Sequence, residues 1–258
     1  MLYGKMILAY LRARCQYMKN FISSILAALP YQLTSFLVLW GVFSAFGGMG
    51  DWSYLDVLFL GVLLNIITGC ANGFFKQFRF LENEIISGNL DVYLTRPRSV
   101  IFQLAAHEID LFSIFGTVIP NLLIGLFCFG RMDILWTLRK ILFLGEVILF
   151  GTLFYGAVFF FIGTLSFWFY RTNHTAMTLF YSVQDFVSYP LNIYGRGISF
   201  FLTFLFPLAF VNYYPLLSLK SGRLFPVEIA MALILLAAAG IDFLLWRAGL
   251  KRYQSAGS

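Results

Sequence analysis

Long runs without a charged side chain dominate this sequence. Between Lys19 and Asp51 there are 31 uncharged residues, and between Asp56 and Lys76 there are 19. Runs of 20 and 24 separate Asp110 from Arg131 and Glu146 from Arg171. A bilayer core about 30 Å thick is crossed by about 20 apolar residues in a helix. Within it, each backbone N–H and C=O must be paired inside the segment or a closed barrel. The runs therefore predict helices at 22–46, 54–75, 105–129 and 143–168. A fifth follows at 174–192, where Asp185 is the one charge between Arg171 and Arg196, and a last at 226–247, with Glu228 and Asp242 near its ends. Composition agrees. Hydrophobic residues make up 60 % and charged residues 12 % of the 258, against roughly 45–50 % and 25 % in soluble domains. Mean hydropathy is +0.82. A soluble domain, a disordered chain and a disulfide-built secreted module are all excluded.

The 23 uncharged residues between Arg196 and Lys220 mimic a seventh span. Gly195 and Gly197 open the stretch and Pro207 and Pro215 divide it, each proline disrupting a continuous helix. The expectation is a re-entrant outer hairpin over 195–222. Six crossings put both termini on one side. With both inside, 12 basic residues are cytoplasmic and 6 external, as the positive-inside rule requires. Arg131, Arg139 and Lys140, all external, are the weak point. Residues 1–20 carry Lys5, Arg12 and Lys19 at seven-residue spacing among Met6, Ile7, Leu8 and Leu11, the pattern of an interfacial helix. The fold expected is thus all-α and integral to the membrane. A single domain over 1–258 has six transmembrane helices, an N-terminal interfacial helix and a re-entrant outer hairpin before the last helix. Topology accounts for the net charge of +6, so no nucleic-acid partner is expected.

Catalytic signatures are missing. None of the six lysines lies in GxxxxGK[ST], and neither HExxH nor GxSxG occurs. The three cysteines are far apart and read as small apolar residues rather than a metal or disulfide framework. No catalytic residue, bound cofactor or metal is expected of this chain. An ion-coupled secondary transporter would carry ionisable residues in several spans and an internal repeat; only Asp185 lies well inside a span. That rival and a non-transporting membrane scaffold are the alternatives to the reading below. Asp185 forms a polar strip with Gln184, Tyr181 and Ser188. A charged Asp at a helix centre costs roughly 2.5–3.5 kcal/mol on insertion scales and should face protein or water, so the strip is either a translocation pathway or a hydrogen-bonded packing element. Asn65, Thr68 and Asn72 form a second candidate strip beside Gly69 and Gly73, whose spacing also allows close helix approach.

The inner loop Lys76–Ser99, KQFRFLENEIISGNLDVYLTRPRS, is too long for a tight turn. Phe78, Leu81, Ile85 and Ile86 oppose Lys76, Glu82 and Glu84, and Gly88 can turn the chain. The pattern Glu84-x-x-x-Gly88-x-Leu90-x-x-x-Leu94-x-x-Pro97 resembles the coupling segment of type-2 ABC exporter permeases, also called ABC-2 permeases. Asp185–Tyr194 with Pro207–Pro215 is similar to the end of the fifth helix and the re-entrant hairpin of that family. The tail Gly249–Ser258 resembles its drug- or viologen-exporter branch. The resemblance implies a permease in the bacterial cytoplasmic membrane, multi-pass, with both termini cytoplasmic and membrane lipid around it. It would pair with a second permease, identical or homologous, and with a cytoplasmic ABC ATPase dimer that carries the ATP and Mg. The coupling residues would be Glu82, Glu84, Gly88, Leu90, Leu94, Arg96 and Pro97. The outer gate would be Pro207, Asn212, Tyr213, Tyr214 and Pro215. The cargo implied is an amphipathic or hydrophobic compound moved out of the cytoplasm or inner leaflet.

Overall fold

The computed structural model describes residues 30, 34, 36–45, 49–107, 109–169 and 173–254. The interfacial helix expected over 1–20 lies outside these residues, and of the first expected span Phe36–Ala45 is the continuous described part (α1). Among the described residues the fold is all-helical. Three helices are long and apolar enough to cross a membrane: Tyr54–Ile86, Leu138–Phe167 and Phe225–Arg252. Phe36–Ala45, Ile114–Phe129 and Arg196–Leu205 are shorter apolar helices.

Local chemistry sets where the long helices begin. Helix α2, Tyr54–Arg79, opens on a reciprocal capping box. The Ser53 hydroxyl accepts from the Asp56 amide at 3.2 Å, and the Asp56 carboxylate accepts from the Ser53 amide at 3.0 Å. Lys76 and Arg79 sit in its last turn, complementing the negative end of the helix dipole. After α3 (Leu81–Ile86), α4 (Asn89–Thr95) and α5 (Val100–His107), the chain enters α6 (Ile119–Phe129) through a π-helical turn at Ile114–Val118. Helix α7, Leu138–Thr164, is capped by Thr137, whose hydroxyl accepts from the Lys140 amide at 3.4 Å. Helix α8 is Asn173–Phe186, and α11, Phe225–Arg252, ends the described fold.

Helices α2 and α7 form the centre, and both bury 72 % of their most apolar window against 17 % for α11. Glycines make the central contact possible. A Cβ at Gly151 would come within 2.7 Å of Ile67, one at Gly156 within 2.6 Å of the Phe75 ring, and one at Gly163 would collide with the Phe78 carbonyl. On its other flank α2 uses Gly69 and Gly73, where added Cβ atoms would strike Val118 and Ile114. The Gly69-x-x-x-Gly73 spacing therefore serves helix packing.

Three elements differ from expectation. The third helix is not continuous over 105–129. The Asp110 amide donates to the Gly73 carbonyl at 2.9 Å. Its carboxylate accepts from the Ser113 amide at 3.3 Å and pairs with Lys76 at 2.7 Å. Asp110 thus starts a fresh helix at Leu111 instead of extending α5. Helix α8 ends at Phe186 rather than 192, because the residue before Pro190 is pushed out of helical geometry. In the 195–222 segment the legs are α9 (Arg196–Phe200), extended by a π turn to Leu205, and α10 (Tyr213–Ser221). Pro207 divides them, but Pro215 does not. It occupies the first turn of α10, where its missing N–H has no helical acceptor to lose.

Gly163→Ala is expected to destabilise the chain by about 1–3 kcal/mol through overpacking. Gly145→Ala, with nothing within 4 Å of its added Cβ, should leave stability unchanged. Thermal unfolding in detergent compares the two; equal midpoints would remove the close-approach argument.

Candidate functional site

At the C-terminal end of α2 the chain departs from helix at Phe80 (φ −97°, ψ 8°) and resumes as α3. Gly88, at φ +75°, turns it into α4, a left-handed conformation that glycine adopts without penalty. Arg96 is extended (φ −82°, ψ 146°), as the residue before a proline prefers. The result is a short helical hairpin whose first helix folds against the C-terminal end of α7. Leu81 and Leu90 are fully buried and anchor its underside, with Tyr93 beside them. Burial first, then the Glu84 carboxylate, raise the Tyr93 phenol above its usual range, opposed by Arg96. Gln103 ties the exit, its side-chain amide donating to the carbonyls of Tyr93 at 2.9 Å and Arg98 at 3.0 Å.

The opposite face of the hairpin is open. Ile86, Val92 and Leu94 are 41, 49 and 44 % exposed, next to exposed Arg96, Pro97 and Arg98. The seven expected coupling residues therefore divide. Leu94, Arg96 and Pro97 point outward, Glu84 is half-buried, and Glu82 and Leu90 face inward. Gly88 supplies the turn. Ile86 and Val92 belong to the same open face, although neither is among the expected coupling residues. Tyr253 was also missed: just past α11, it meets the Phe167 ring edge-on at 6.2 Å. Burial and the neighbouring Asp91 of α4 both raise its phenol, so the C-terminal helix touches the hairpin.

The polar strip of α2 is absorbed by internal bonds. Asn65 donates to Asn121 of α6 at 3.2 Å, Thr68 to the Asn65 carbonyl at 3.2 Å, and Asn72 to the Thr68 carbonyl at 2.9 Å. The Asn72 side-chain oxygen accepts from Arg79 at 2.8 Å. The Arg79 guanidinium lies 5.5 Å from the rings of both Phe159 and Tyr181. Asn72 and Tyr181, read separately in the sequence, thus meet around Arg79, which counted there as a topology charge. Asp185 is in the last turn of α8, exposed, and not at a helix centre. Gln184 is half-buried, its side-chain oxygen without a hydrogen-bond partner among the described residues, and Ser188 lies in the turn beyond. Asp185, Ser182, Thr178 and His174 fall on one exposed face of α8.

At the other end, Asn212 is fully buried. Its amide donates to the carbonyls of Leu60 at 3.2 Å and Val187 at 2.7 Å, fastening the tip between α9 and α10 to α2 and to the end of α8. Tyr213 meets Trp52 at 5.5 Å, and the Tyr214 and Thr203 hydroxyls share a hydrogen bond at 3.0 Å. Pro207 forms the break and Pro215 starts α10. Lys220 pairs with buried Asp56 at 2.7 Å. Arg139 pairs with Glu228 and, at 3.3 Å, with Glu146.

The family of ABC-2 family transporter proteins matches residues 29–257. This chain belongs to that family. No curated protein and no solved structure shows a significant match. The ABC-2 family consists of membrane permease subunits that do no catalysis themselves, and membership implies an ABC ATPase partner. Among the described residues of this ABC-2 permease, no group of three or more His, Cys, Asp or Glu could hold a metal ion.

Leu90→Ala should cost this permease about 2–5 kcal/mol by emptying a buried site, whereas Leu94→Ala, 44 % exposed, should cost well under 1 kcal/mol. Lys220→Met leaves Asp56 buried without its cation and should cost about 3–5 kcal/mol. Arg139→Met breaks an exposed pair and should cost at most about 1 kcal/mol. Thermal midpoints of the four variants rank these effects; a milder loss for Lys220→Met than for Arg139→Met would overturn the second comparison.

Proposed function

We propose that this chain is the permease subunit of an ATP-driven exporter. It moves an amphipathic or hydrophobic compound out of the cytoplasm or inner leaflet, with ATP hydrolysed on a separate ABC ATPase dimer. The observation that carries this reading is the two-faced hairpin Leu81–Thr95. Leu81 packs at Gly163 of α7 and Leu90 and Tyr93 are buried with it, while Ile86, Val92 and Leu94 stand exposed with Arg96 and Arg98 alongside. An apolar cluster with a basic rim fits a protein partner. Rooted on packed helices, such a hairpin moves as a lever, a rigid-body switch.

In this reading six helices cross the bacterial cytoplasmic membrane with both termini inside, and the 195–222 hairpin dips in from the outer side. A second permease subunit covers the α8 face bearing His174, Thr178, Ser182 and Asp185. A polar stripe on a membrane helix needs protein or water beside it rather than lipid, which supports a pathway between two subunits. Asp185 would border that pathway, and Asn212 would hold the outer gate shut.

The test is co-expression with the cognate ABC ATPase. Val92→Glu/Leu94→Glu puts two carboxylates on the exposed face without touching Leu81 or Leu90. The variant should stay monodisperse yet lose ATPase co-purification and substrate-stimulated hydrolysis by at least about tenfold. Undiminished co-purification and stimulation would refute this docking face.

A further inference from the structure

The last helix contains an acid that the spans do not account for. Asp242 is ten residues before Arg252, about 15 Å along the helix, and 8 % exposed. No described side chain gives it a hydrogen bond or an ion pair. It borders a cleft of about 400 Å³ between α7, α11 and the outer hairpin. Helix α7 contributes Phe154 and Phe161, α11 contributes Ala238, and the hairpin break contributes Phe206 and Pro207. Among the described residues no lysine or arginine lines the cleft, and Asp242 is its one charge-bearing group. The mouth is formed by Phe204 and Leu205, each 72 % exposed. Because α11 is largely unburied, the cleft opens away from the α2–α7 core.

A carboxyl without a partner in apolar surroundings costs several kcal/mol when ionised. A ligand carrying a cation on an apolar body would relieve that cost. Its positive charge would pair with Asp242, and its body would fill the aromatic cleft, where ring faces also attract cations. The geometry points to a binding site for a lipophilic organic cation, an amine or quaternary ammonium with a hydrophobic body, entered from the lipid side. The site rests on the cleft and its single acid, and it stands whether or not the chain exports. It is separate from the polar face of α8 and from the ATPase-docking hairpin.

The test uses full-length permease in nanodiscs and a fluorescent quaternary ammonium probe, alongside its neutral isostere with carbon in place of nitrogen. The wild type should bind the cation at least about tenfold more tightly than the isostere. Asp242→Asn should bring the cation to the isostere's affinity, and Ala238→Phe, which fills the cleft while keeping the acid, should weaken both. A wild-type readout guards against misfolded variants. Dicyclohexylcarbodiimide should label Asp242, read by peptide mass spectrometry, and the cation should protect it where the isostere at the same concentration does not. Equal affinity for cation and isostere would make the cleft an acyl-chain groove and overturn the proposal. So would full cation binding by Asp242→Asn, or labelling that the cation leaves unchanged.

Discussion

The close approach of α2 and α7 is the contact on which the rest depends. Lipid is as apolar as leucine, so helices in a membrane associate through close packing and interhelical hydrogen bonds rather than through expulsion of water. Here Gly151, Gly156 and Gly163 of α7 receive Ile67, Phe75 and the Phe78 backbone of α2 in succession. The last contact is backbone on backbone and fixes the position of Phe78, two residues before the chain turns at Phe80. The hairpin that follows is therefore placed by helix packing, not by its own short helices, which at six and seven residues are too short to be stable alone. The aromatic chain Phe159–Phe180–Phe206, with centroids 6.0 and 5.9 Å apart, carries the same rigidity from α7 through α8 to the hairpin break. Any push on α3 and α4 is applied to elements that share this centre.

Charge does different work at the two ends. At the C-terminal end of α2 Lys76 pairs with Asp110, and Arg79 is wrapped by aromatic rings and Asn72. At its N-terminal end Asp56 takes Lys220, and nearby Arg139 is matched by Glu228 and Glu146. Arg139 is held by local acids, and Arg131 lies 4.1 Å from the Phe127 ring, so the basic residues of the Arg131–Lys140 loop include two with structural partners. Lys220 over Trp52, 5.4 Å from the ring, adds a second contact to its pair with Asp56.

The long helices were legible because hydropathy and length are properties of the chain itself. The gaps between charges placed α2, α7 and α11 within a few residues of their observed ends. The turn at Gly88 and the extended Arg96 before Pro97 were legible too, because backbone constraint resides in those residue types. Orientation was not. In the Lys76–Ser99 loop Leu90 and Leu94 are both leucines at helical spacing, yet one is buried and the other open, and only the tertiary packing of α4 decides between them. Likewise Asp110 and Asp56 mark only the ends of uncharged runs in the sequence. That they recruit Lys76 and Lys220, 34 and 164 residues away in sequence, depends on tertiary approach. The expected strip Asn65–Thr68–Asn72 had the right spacing, but Thr68 and Asn72 donate to carbonyls of their own helix and Asn65 to Asn121 of α6.

Asp185 and Asp242 show how the same cost is met in two ways. The sequence placed Asp185 well inside a span and Asp242 near a span's end, and their surroundings reverse the reading. Pro190 shortens α8, which leaves Asp185 in a final turn on a polar face, where water or a neighbouring subunit can solvate it. The last helix runs five residues beyond its expected end, to Arg252, which draws Asp242 inward against Phe154 and Phe161 with no such relief. Asp242 borders an apolar cleft with no partner among the described side chains, so a counter-charge has to come from elsewhere. The wall it faces includes Phe206 and Pro207, at the tip that Asn212 fastens to α2 and to the end of α8. An occupant of the cleft therefore touches α7, α11 and that tip together.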